Sequence, residues 1–311
     1  MQSSKLQSKV QNFSKENLKK LYIPPPNSHK GQNGKLLIIA GSELFHAPLL
    51  WTLKVASRIV DMVFFSSTIK NNEIAKEEFR DGIIVPRNKV EDYIKEAECI
   101  LIGPGLPRKD GEQKGDDDTK SLTETLLKKY PKKKWVIDGG SLQVLDPEIL
   151  LLLKKPILTP HIREFQFLEL KIQNAKFKIA ISHFAEASRD KQKSKLEERV
   201  ELFAQHYRCT VLFKGPVDIV CGLDNSVRPP TLTLRRVEGG NAGMTKGGTG
   251  DVLAGLVAGL YCKNDDPFLV AQFASYINKK AGENLFKKVG YYFNASDLAD
   301  EIPKVMQEIL I

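Results

Sequence analysis

Short apolar runs recur along the chain, and polar or amphipathic stretches separate them. Residues 35–40 read KLLIIA and end at Gly41. An apolar run of this length, closed by a glycine, is typical of a strand buried on both faces. The same pattern predicts strands at 62–66, 82–85, 99–102, 135–137, 156–158, 210–213, 218–221 and 231–234. The last of these are spaced for a hairpin or a β-meander.

Helical patterns lie between the predicted strands. They cover residues 47–60, 121–129, 163–170, 186–207, 250–262, 266–285 and 295–309. Alternating strands and helices predict an α/β fold, a three-layer α/β/α sandwich around a mostly parallel central sheet. We expect residues 1–28 to be a polar helix and proline-rich lead-in that ends at 24–26, and residues 29–311 to be a single catalytic domain.

Composition narrows the class of protein. The 311 residues are 41% hydrophobic and 27% charged, and 47 basic against 38 acidic side chains give a net charge of +9. The lysines are scattered, which favours anionic small molecules over nucleic acid as partners. The chain has neither an apolar signal segment near residue 1 nor a run of about 18 apolar residues. These features predict a cytoplasmic protein without a membrane partner.

The glycine-rich segment 240–255 is the most informative stretch. Its glycines precede an apolar helical run, and Asp251 lies where that helix begins. Backbone amides of such a loop and the positive end of the helix dipole suit phosphate oxygens. A carboxylate beside phosphate is repelled by it, so we expect Asp251 to act as a base toward a hydroxyl. The alternative is a flexible loop in which Asp251 only stabilises the helix.

Further polar residues follow predicted strands, where ligands of parallel sheets bind. Lys214 suits phosphate but is also compatible with an exposed turn, and His161 suits proton transfer or a structural role. Asp138 suits a sugar hydroxyl, magnesium or a turn cap. The acids 116–118 suit a cation or a solvated turn. Without a P-loop motif or paired histidines, Mg²⁺ arriving with a nucleotide is the expected ion, and we predict no protein metal site.

The ordered set of motifs resembles the NAD(P)H-hydrate dehydratase family, whose members have a ribokinase-like fold. The resemblance covers roughly residues 20–310. It rests on these motifs: His29-Lys30-Gly31, Gly103-Pro104-Gly105-Leu106, Thr159-Pro160-His161-x-x-Glu164-Phe165, Lys214-Gly215 and Asn241-x-Gly243-Met244-x-x-Gly247-Gly248-Thr249-Gly250-Asp251.

This resemblance implies a reaction and the residues that carry it. The S-epimer of hydrated NADH or NADPH would be phosphorylated on its hydroxyl by ADP or ATP, and elimination would restore the cofactor. Stand-alone microbial members typically use ADP, which we therefore favour. Asp251 would be the catalytic base, and a homo-oligomer such as a tetramer is implied. The nucleotide would bind Lys214, Gly215, Pro216, Val217, Asp218, Gly247, Gly248, Thr249 and Gly250. The hydrated cofactor would bind Ala47, Gly105, His161 and Asp251.

Three positions depart from the family pattern, and all lie on the implied substrate side. A glycine is missing before Ala47, glycine replaces a second acid at Gly140, and Arg163 replaces a glycine. Two other functions therefore remain open. One is a ribokinase-fold kinase of a small alcohol, and the other is a nucleotide-binding protein without turnover.

Overall fold

A computed structural model describes residues 11–108, 112–173 and 189–310. Over these residues ten strands form one sheet in the order β1-β10-β9-β8-β7-β6-β5-β2-β3-β4. The strands are β1 Gln11–Asn12, β2 Lys35–Ile39, β3 Met62–Ser66, β4 Ile83–Ile84, β5 Cys99–Ile102, β6 Lys134–Ile137, β7 Ile157–Leu158, β8 Thr210–Phe213, β9 Asp218–Asp224 and β10 Thr231–Val237.

The central part of the sheet is parallel. Strands β2 to β8 pair with one another in parallel, whereas β9 runs antiparallel to both β8 and β10. Helices connect the parallel strands, as such crossovers require. The mostly parallel sheet is therefore confirmed, and the late strands form the meander that their short spacing predicted.

The helices of the described residues cover both faces of the sheet. The helices are α1 Ala47–Ala56, α2 Ile69–Glu78, α3 Val90–Glu96, α4 Thr119–Lys129, α5 Gly139–Val144, α6 Ile162–Leu170, α7 Arg189–Tyr207, α8 Thr249–Lys263, α9 Pro267–Val289 and α10 Ala295–Leu310.

Two hydrophobic cores lie on opposite faces of the sheet. Successive strand side chains alternate between faces, so Leu36 and Ile38 of β2 enter one core while Leu37 and Ile39 enter the other. The first core contains apolar residues of α1, α2, α8, α9 and α10, and the second contains those of α3 to α7. This arrangement is the predicted three-layer sandwich.

The segment before residue 29 differs from the predicted polar helix. A 3₁₀ helix spans only Lys15–Lys20, and β1 adds to the sheet beside β10. Leu18 and Leu21 are buried against the first core, so apolar anchoring rather than helical propensity fixes the path of this segment. Residues 1–10 of the prediction lie outside the described residues. The division into a lead-in and one catalytic domain stays a prediction.

Helices α1 and α8 approach each other so closely that a glycine is needed between them. A Cβ on Gly255 would lie 2.8 Å from the carbonyl oxygen of Thr52 and 2.9 Å from its Cα. One turn later, a Cβ on Gly259 would meet only the side chain of Ile59, at 3.1 Å or more. Backbone atoms cannot move aside without shifting the helix, whereas a side chain can.

We therefore predict that Gly255→Ala is less stable than Gly259→Ala by about 2 kcal/mol, the usual cost of overpacking. Both substitutions gain the same helix propensity, about 1 kcal/mol, so the difference isolates the backbone collision. Urea unfolding of the two variants measures it. Equal free energies of unfolding would contradict the close helix contact.

Candidate active site

Neighbouring strands bring the predicted polar residues to one edge of the sheet. Strands β6, β7 and β8 are adjacent and parallel, so the residues after their carboxyl ends meet. His161 and Lys214 form an isolated parallel bridge, and the Lys214 amide donates to the Pro160 carbonyl at 2.8 Å. The chain segments after β7 and β8 are thus held side by side at the site.

The ammonium of Lys214 is held by carboxylates from two neighbouring segments. Its Nζ lies 2.7 Å from Asp138 Oδ1, after β6, and 3.8 Å from Glu164 Oε2, in α6. Burial by itself lowers the pKa of Lys214, but the charges of Asp138 and Glu164 outweigh it and raise that pKa above the usual value. Lys214 is therefore a fixed, permanently charged group rather than an exposed turn lysine.

Asp138 is committed to this ion pair. It is 2% exposed, and its Oδ1 also accepts a hydrogen bond from the Thr159 hydroxyl at 2.7 Å. Of the roles that the sequence left open, the turn cap is not supported, because the Asp138 carboxylate makes no capping hydrogen bond to the helix that follows. The contacts with a sugar hydroxyl or magnesium stay predictions. Asp138 positions Lys214.

Asp251 lies in the first turn of α8, close to the same cluster. Burial raises the pKa of Asp251 to about 7, and the like charge of Asp138 adds to the rise while Lys214 opposes it. Burial also raises the pKa of Glu164. A carboxyl group whose pKa lies near neutral pH is suited to accept a proton from a reacting hydroxyl.

His161 has a local structural role in addition to facing the cavity described next. It is the N-cap of α6, and its Nδ1 accepts hydrogen bonds from the amides of Arg163 at 3.1 Å and Glu164 at 3.2 Å. Burial and the nearby Lys214 lower the pKa of His161. The imidazole is therefore neutral at physiological pH, with the proton on Nε2, because Nδ1 acts as an acceptor.

A cavity of about 740 Å³ opens beside the cluster, a volume typical of small-molecule sites. His161 lies at its wall, together with Leu253, Met244 and the loop after β10. Six residues predicted to bind nucleotide also line it, and Val217, Gly247 and Gly248 do not. These six are Lys214, Gly215, Pro216, Asp218, Thr249 and Gly250.

The other predicted substrate residues lie outside this cavity. Gly105 has a φ of +67°, and a Cβ there would lie 2.9 Å from Pro48. Because Pro48 follows Ala47 at the start of α1, Gly105 and Ala47 are brought near each other. The structure thus groups Ala47 with Gly105 and groups His161 with the Lys214 cluster, which Asp251 adjoins.

The departure at Gly140 has a steric reason. A Cβ at Gly140 would lie 2.1 Å from the carbonyl oxygen of Leu106, and its amide donates to the Gly103 carbonyl at 3.0 Å. No acidic side chain fits at this position in the present backbone. The other two departures are sterically tolerated, since Arg163 and His46, which precedes Ala47 in place of the glycine, are both exposed.

The two central glycines of the loop have different requirements. Gly248 has a φ of +94°, and a Cβ there would lie 2.3 Å from the Trp51 ring. Gly247 is exposed, and no atom would come within 4 Å of its Cβ. The fold therefore demands glycine at 248 but gives no reason for glycine at 247.

Several residues that shape the site belong to no recognisable sequence motif. Lys279 of α9 donates hydrogen bonds to the carbonyls of Gly215, Pro216 and Gly239, and it pairs with Asp218 at 3.4 Å. Both carboxylate oxygens of Asp218 are thus engaged, since Ser275 donates to the second at 2.7 Å. Asp218 therefore shapes the turn, and its predicted contact with a nucleotide stays a prediction. Glu164 could have been found as the acid three residues after His161, the spacing of a capping box.

The acidic turn at 116–118 has partners of its own. Asp116 accepts from the amides of Glu43 and Gln113, Asp117 pairs with Arg87 at 2.7 Å, and Asp118 caps α4. The three carboxylates are thus directed to different structural tasks rather than to one cation.

Comparison with solved structures identifies the fold. The chain superimposes on the ADP/ATP-dependent NAD(P)H-hydrate dehydratase of Bacillus subtilis, co-crystallised with ATP and Mg²⁺, with a TM-score of 0.71. The identity is 20%, and the match covers 96% of this chain and 99% of that one. The predicted ribokinase-like fold is confirmed.

Sequence comparison defines the family. Residues 36–304 match the NAD(P)H-hydrate dehydratase family model. The chain is 33% identical over 299 residues to the bifunctional NAD(P)H-hydrate repair enzyme of Methanocaldococcus jannaschii, covering 93% of this chain and 51% of that protein. It is 32% identical over 301 residues to the ADP-dependent (S)-NAD(P)H-hydrate dehydratase of Nitrosopumilus maritimus, covering 93% and 95%. The chain belongs to the NAD(P)H-hydrate dehydratase family, and it spans about half the length of the bifunctional relatives it matches.

The loop glycines yield a paired prediction. Gly247→Ala should leave stability unchanged but weaken ADP binding roughly tenfold, about 1.4 kcal/mol, because its methyl group keeps phosphate from the loop amides. Gly248→Ala should instead destabilise the protein by about 2 kcal/mol, because it meets Trp51. Thermal unfolding and calorimetric titration with ADP measure both effects. Unchanged ADP affinity in Gly247→Ala would show that phosphate does not contact the backbone at residue 247.

Proposed function

We propose that this protein catalyses the ADP-dependent dehydration of the S-epimer of hydrated NADH or NADPH, restoring the reduced cofactor. The observation that carries the proposal is the position of Asp251. Its carboxyl group, with a pKa near 7, lies in the first turn of α8, directly after the glycine loop and beside Lys214. A base next to a phosphate cradle suits phosphoryl transfer to a hydroxyl.

The reaction has two stages. Asp251 accepts the proton of the substrate hydroxyl as that oxygen bonds the terminal phosphorus of ADP and the bond from phosphorus to AMP breaks. The carbon–oxygen bond then breaks, with its electron pair leaving on phosphate, and the adjacent ring carbon gives its proton to water as the double bond forms. Loop amides and the α8 dipole stabilise the charge on the transferring group. Lys214 adds a fixed positive charge.

The nucleotide is proposed to occupy the 740 Å³ cavity. A relative is named ADP-dependent, which supports ADP over ATP as the phosphoryl donor. Within the described ranges, no group of three or more His, Cys, Asp or Glu side chains is placed to hold a metal ion. We propose that Mg²⁺ arrives bound to the nucleotide phosphates.

The location in the cell and the oligomeric state rest on expectations from the sequence. Over the described part of the chain, no helix is both long and apolar enough to cross a bilayer. The cytoplasmic location and a homo-oligomer such as a tetramer stay predictions. Size-exclusion chromatography with light scattering measures the oligomeric state.

Replacing the proposed base tests the function directly. Purified protein with ADP and hydrated NADH should regenerate the absorbance of NADH, and Asp251→Asn should lower kcat roughly 10²–10⁴-fold, the contribution typical of a general base. Asp92→Asn, the same substitution in the first turn of α3, is the matched control and should retain full activity. No recovery of NADH by the unmodified protein with ADP or ATP would refute the dehydratase. Phosphorylation of the substrate without elimination would indicate a kinase.

The pKa of Asp251 predicts the pH dependence. Because the base must be ionised, kcat/KM should fall below pH of about 7 and rise above it. Removing a neighbouring negative charge with Asp138→Asn should shift this acid limb to lower pH, since that charge helps to raise the pKa of Asp251. An acid limb that stays in place in Asp138→Asn would mean that another group titrates.

A further inference from the structure

Two arginines lie beside the proposed substrate residues and outside the 740 Å³ cavity. Arg163 follows closely after His161 in the chain, and Arg108 follows closely after Gly105. Both arginine side chains are exposed, and neither lines the cavity that we propose for the nucleotide. Arg163 is also one of the three departures from the family pattern, so its charge is a feature of this chain's own site.

The fold brings the two arginines to the same part of the site. The amide of Arg163 donates to His161 Nδ1 at 3.1 Å, which fixes Arg163 in the first turn of α6. The segment before Arg108 is also fixed, because the Pro107 carbonyl accepts a hydrogen bond from the Thr119 hydroxyl at 2.7 Å. Burial above all lowers the pKa of His161, and the charge of Arg108 adds to this effect. Arg108 therefore lies near the start of α6, where Arg163 is.

Neither arginine has an anionic partner among the described residues. Arg199, for comparison, is held by the carboxylate of Glu169, whereas Arg108 and Arg163 form no ion pair over the described part of the chain. An exposed guanidinium without a carboxylate keeps its donors for another anion, and it can bind phosphate through two parallel hydrogen bonds. The two arginines thus suit a phosphate-bearing ligand.

The chemistry of the hydrated dinucleotide indicates which phosphates these are. In the proposed reaction its nicotinamide ring lies with the hydroxyl at Asp251, and a single ribose joins that ring to a diphosphate. Because ADP takes the 740 Å³ cavity, the diphosphate of the dinucleotide has to lie on another side of the catalytic cluster. Gly105 and His161, the proposed substrate residues, mark that side, and the two arginines lie next to them.

We propose that Arg108 and Arg163 bind the diphosphate of the hydrated dinucleotide substrate. This inference rests on the proposed function and adds the residues that recognise the non-reacting part of its substrate. The diphosphate is common to hydrated NADH and hydrated NADPH, whereas the 2′-phosphate of NADPH lies on the far ribose. The two arginines therefore bind both substrates alike, and they hold the nicotinamide ring at the cluster without touching the reacting atoms.

Steady-state kinetics of the full chain and of the variants Arg163→Gln and Arg108→Gln test this assignment. Each variant should raise KM for hydrated NADH and for hydrated NADPH roughly tenfold, the effect of one lost charged hydrogen bond. Each should leave kcat unchanged, because the diphosphate is bound equally in the ground state and the transition state. KM for ADP should stay the same, since both side chains lie outside the nucleotide cavity.

Arg80→Gln provides the matched control, because it removes the same charge far from the site. Arg80 is exposed and precedes β4, which runs parallel to β3, so it lies at the edge of the sheet opposite the site. This variant should keep the KM values of the unmodified protein. Raising the ionic strength should raise KM for hydrated NADH more in Arg80→Gln than in Arg163→Gln, since salt screens the arginine that the latter lacks.

The outcomes separate this inference from the proposed function. An unchanged KM for hydrated NADH in either variant would overturn the inference, while activity of the unmodified protein would still support the proposed function. A rise confined to hydrated NADPH would overturn it in favour of the 2′-phosphate. A rise in KM for ADP would overturn it in favour of the nucleotide phosphates. No recovery of NADH by the unmodified protein would overturn both.

Discussion

The site depends on one ammonium shared among several carboxylates. Lys214 Nζ lies 2.7 Å from Asp138 Oδ1 and 3.8 Å from Glu164 Oε2, and it also interacts electrostatically with Asp251. Its Nζ also lies 3.5 Å from the point where a Cβ of Gly250 would be, at the positive end of α8. The carboxylates make this position tolerable for a cation, and the cation keeps the acids together. Burial, together with the negative charge of Asp138 that the single ammonium does not cancel, therefore raises the pKa of Asp251 to about 7.

The fold was predictable wherever a buried element has an apolar pattern in its own sequence. The strands at 62–66, 99–102 and 210–213 have the predicted bounds, because strands buried on both faces read as continuous apolar runs. Helix α2 was missed since its sequence, IKNNEIAKEE, buries only Asn71 and Ala75 and so shows no apolar stripe. Strand β1 was missed for another reason. Its partner, β10, lies more than 200 residues away, and two residues carry no pattern of their own.

The sequence predicted which residues lie at the site, but not which of them bond each other. The rule that parallel strands end at one edge brought Asp138, His161 and Lys214 together correctly. It could not show that Asp138 forms an ion pair with Lys214, because the two residues are 76 positions apart and either could have faced a ligand. Lys279 gave no signal at all. A lysine inside a helix is unremarkable in sequence, and only the structure shows that it donates hydrogen bonds to the carbonyls of Gly215, Pro216 and Gly239.

Glycine at position 140 supports the same cluster through backbone packing. Gly103, Gly139 and Gly140 let the turns after β5 and β6 touch through their backbones, with a Cβ on Gly103 falling 1.8 Å from the Asp138 carbonyl oxygen. This contact fixes the turn from which Asp138 reaches Lys214. A side chain at Gly140 would break the contact, because its Cβ would lie 2.1 Å from the carbonyl oxygen of Leu106. Glycine at 140 thus keeps the position from which Asp138 bonds Lys214, and through that position it supports the site.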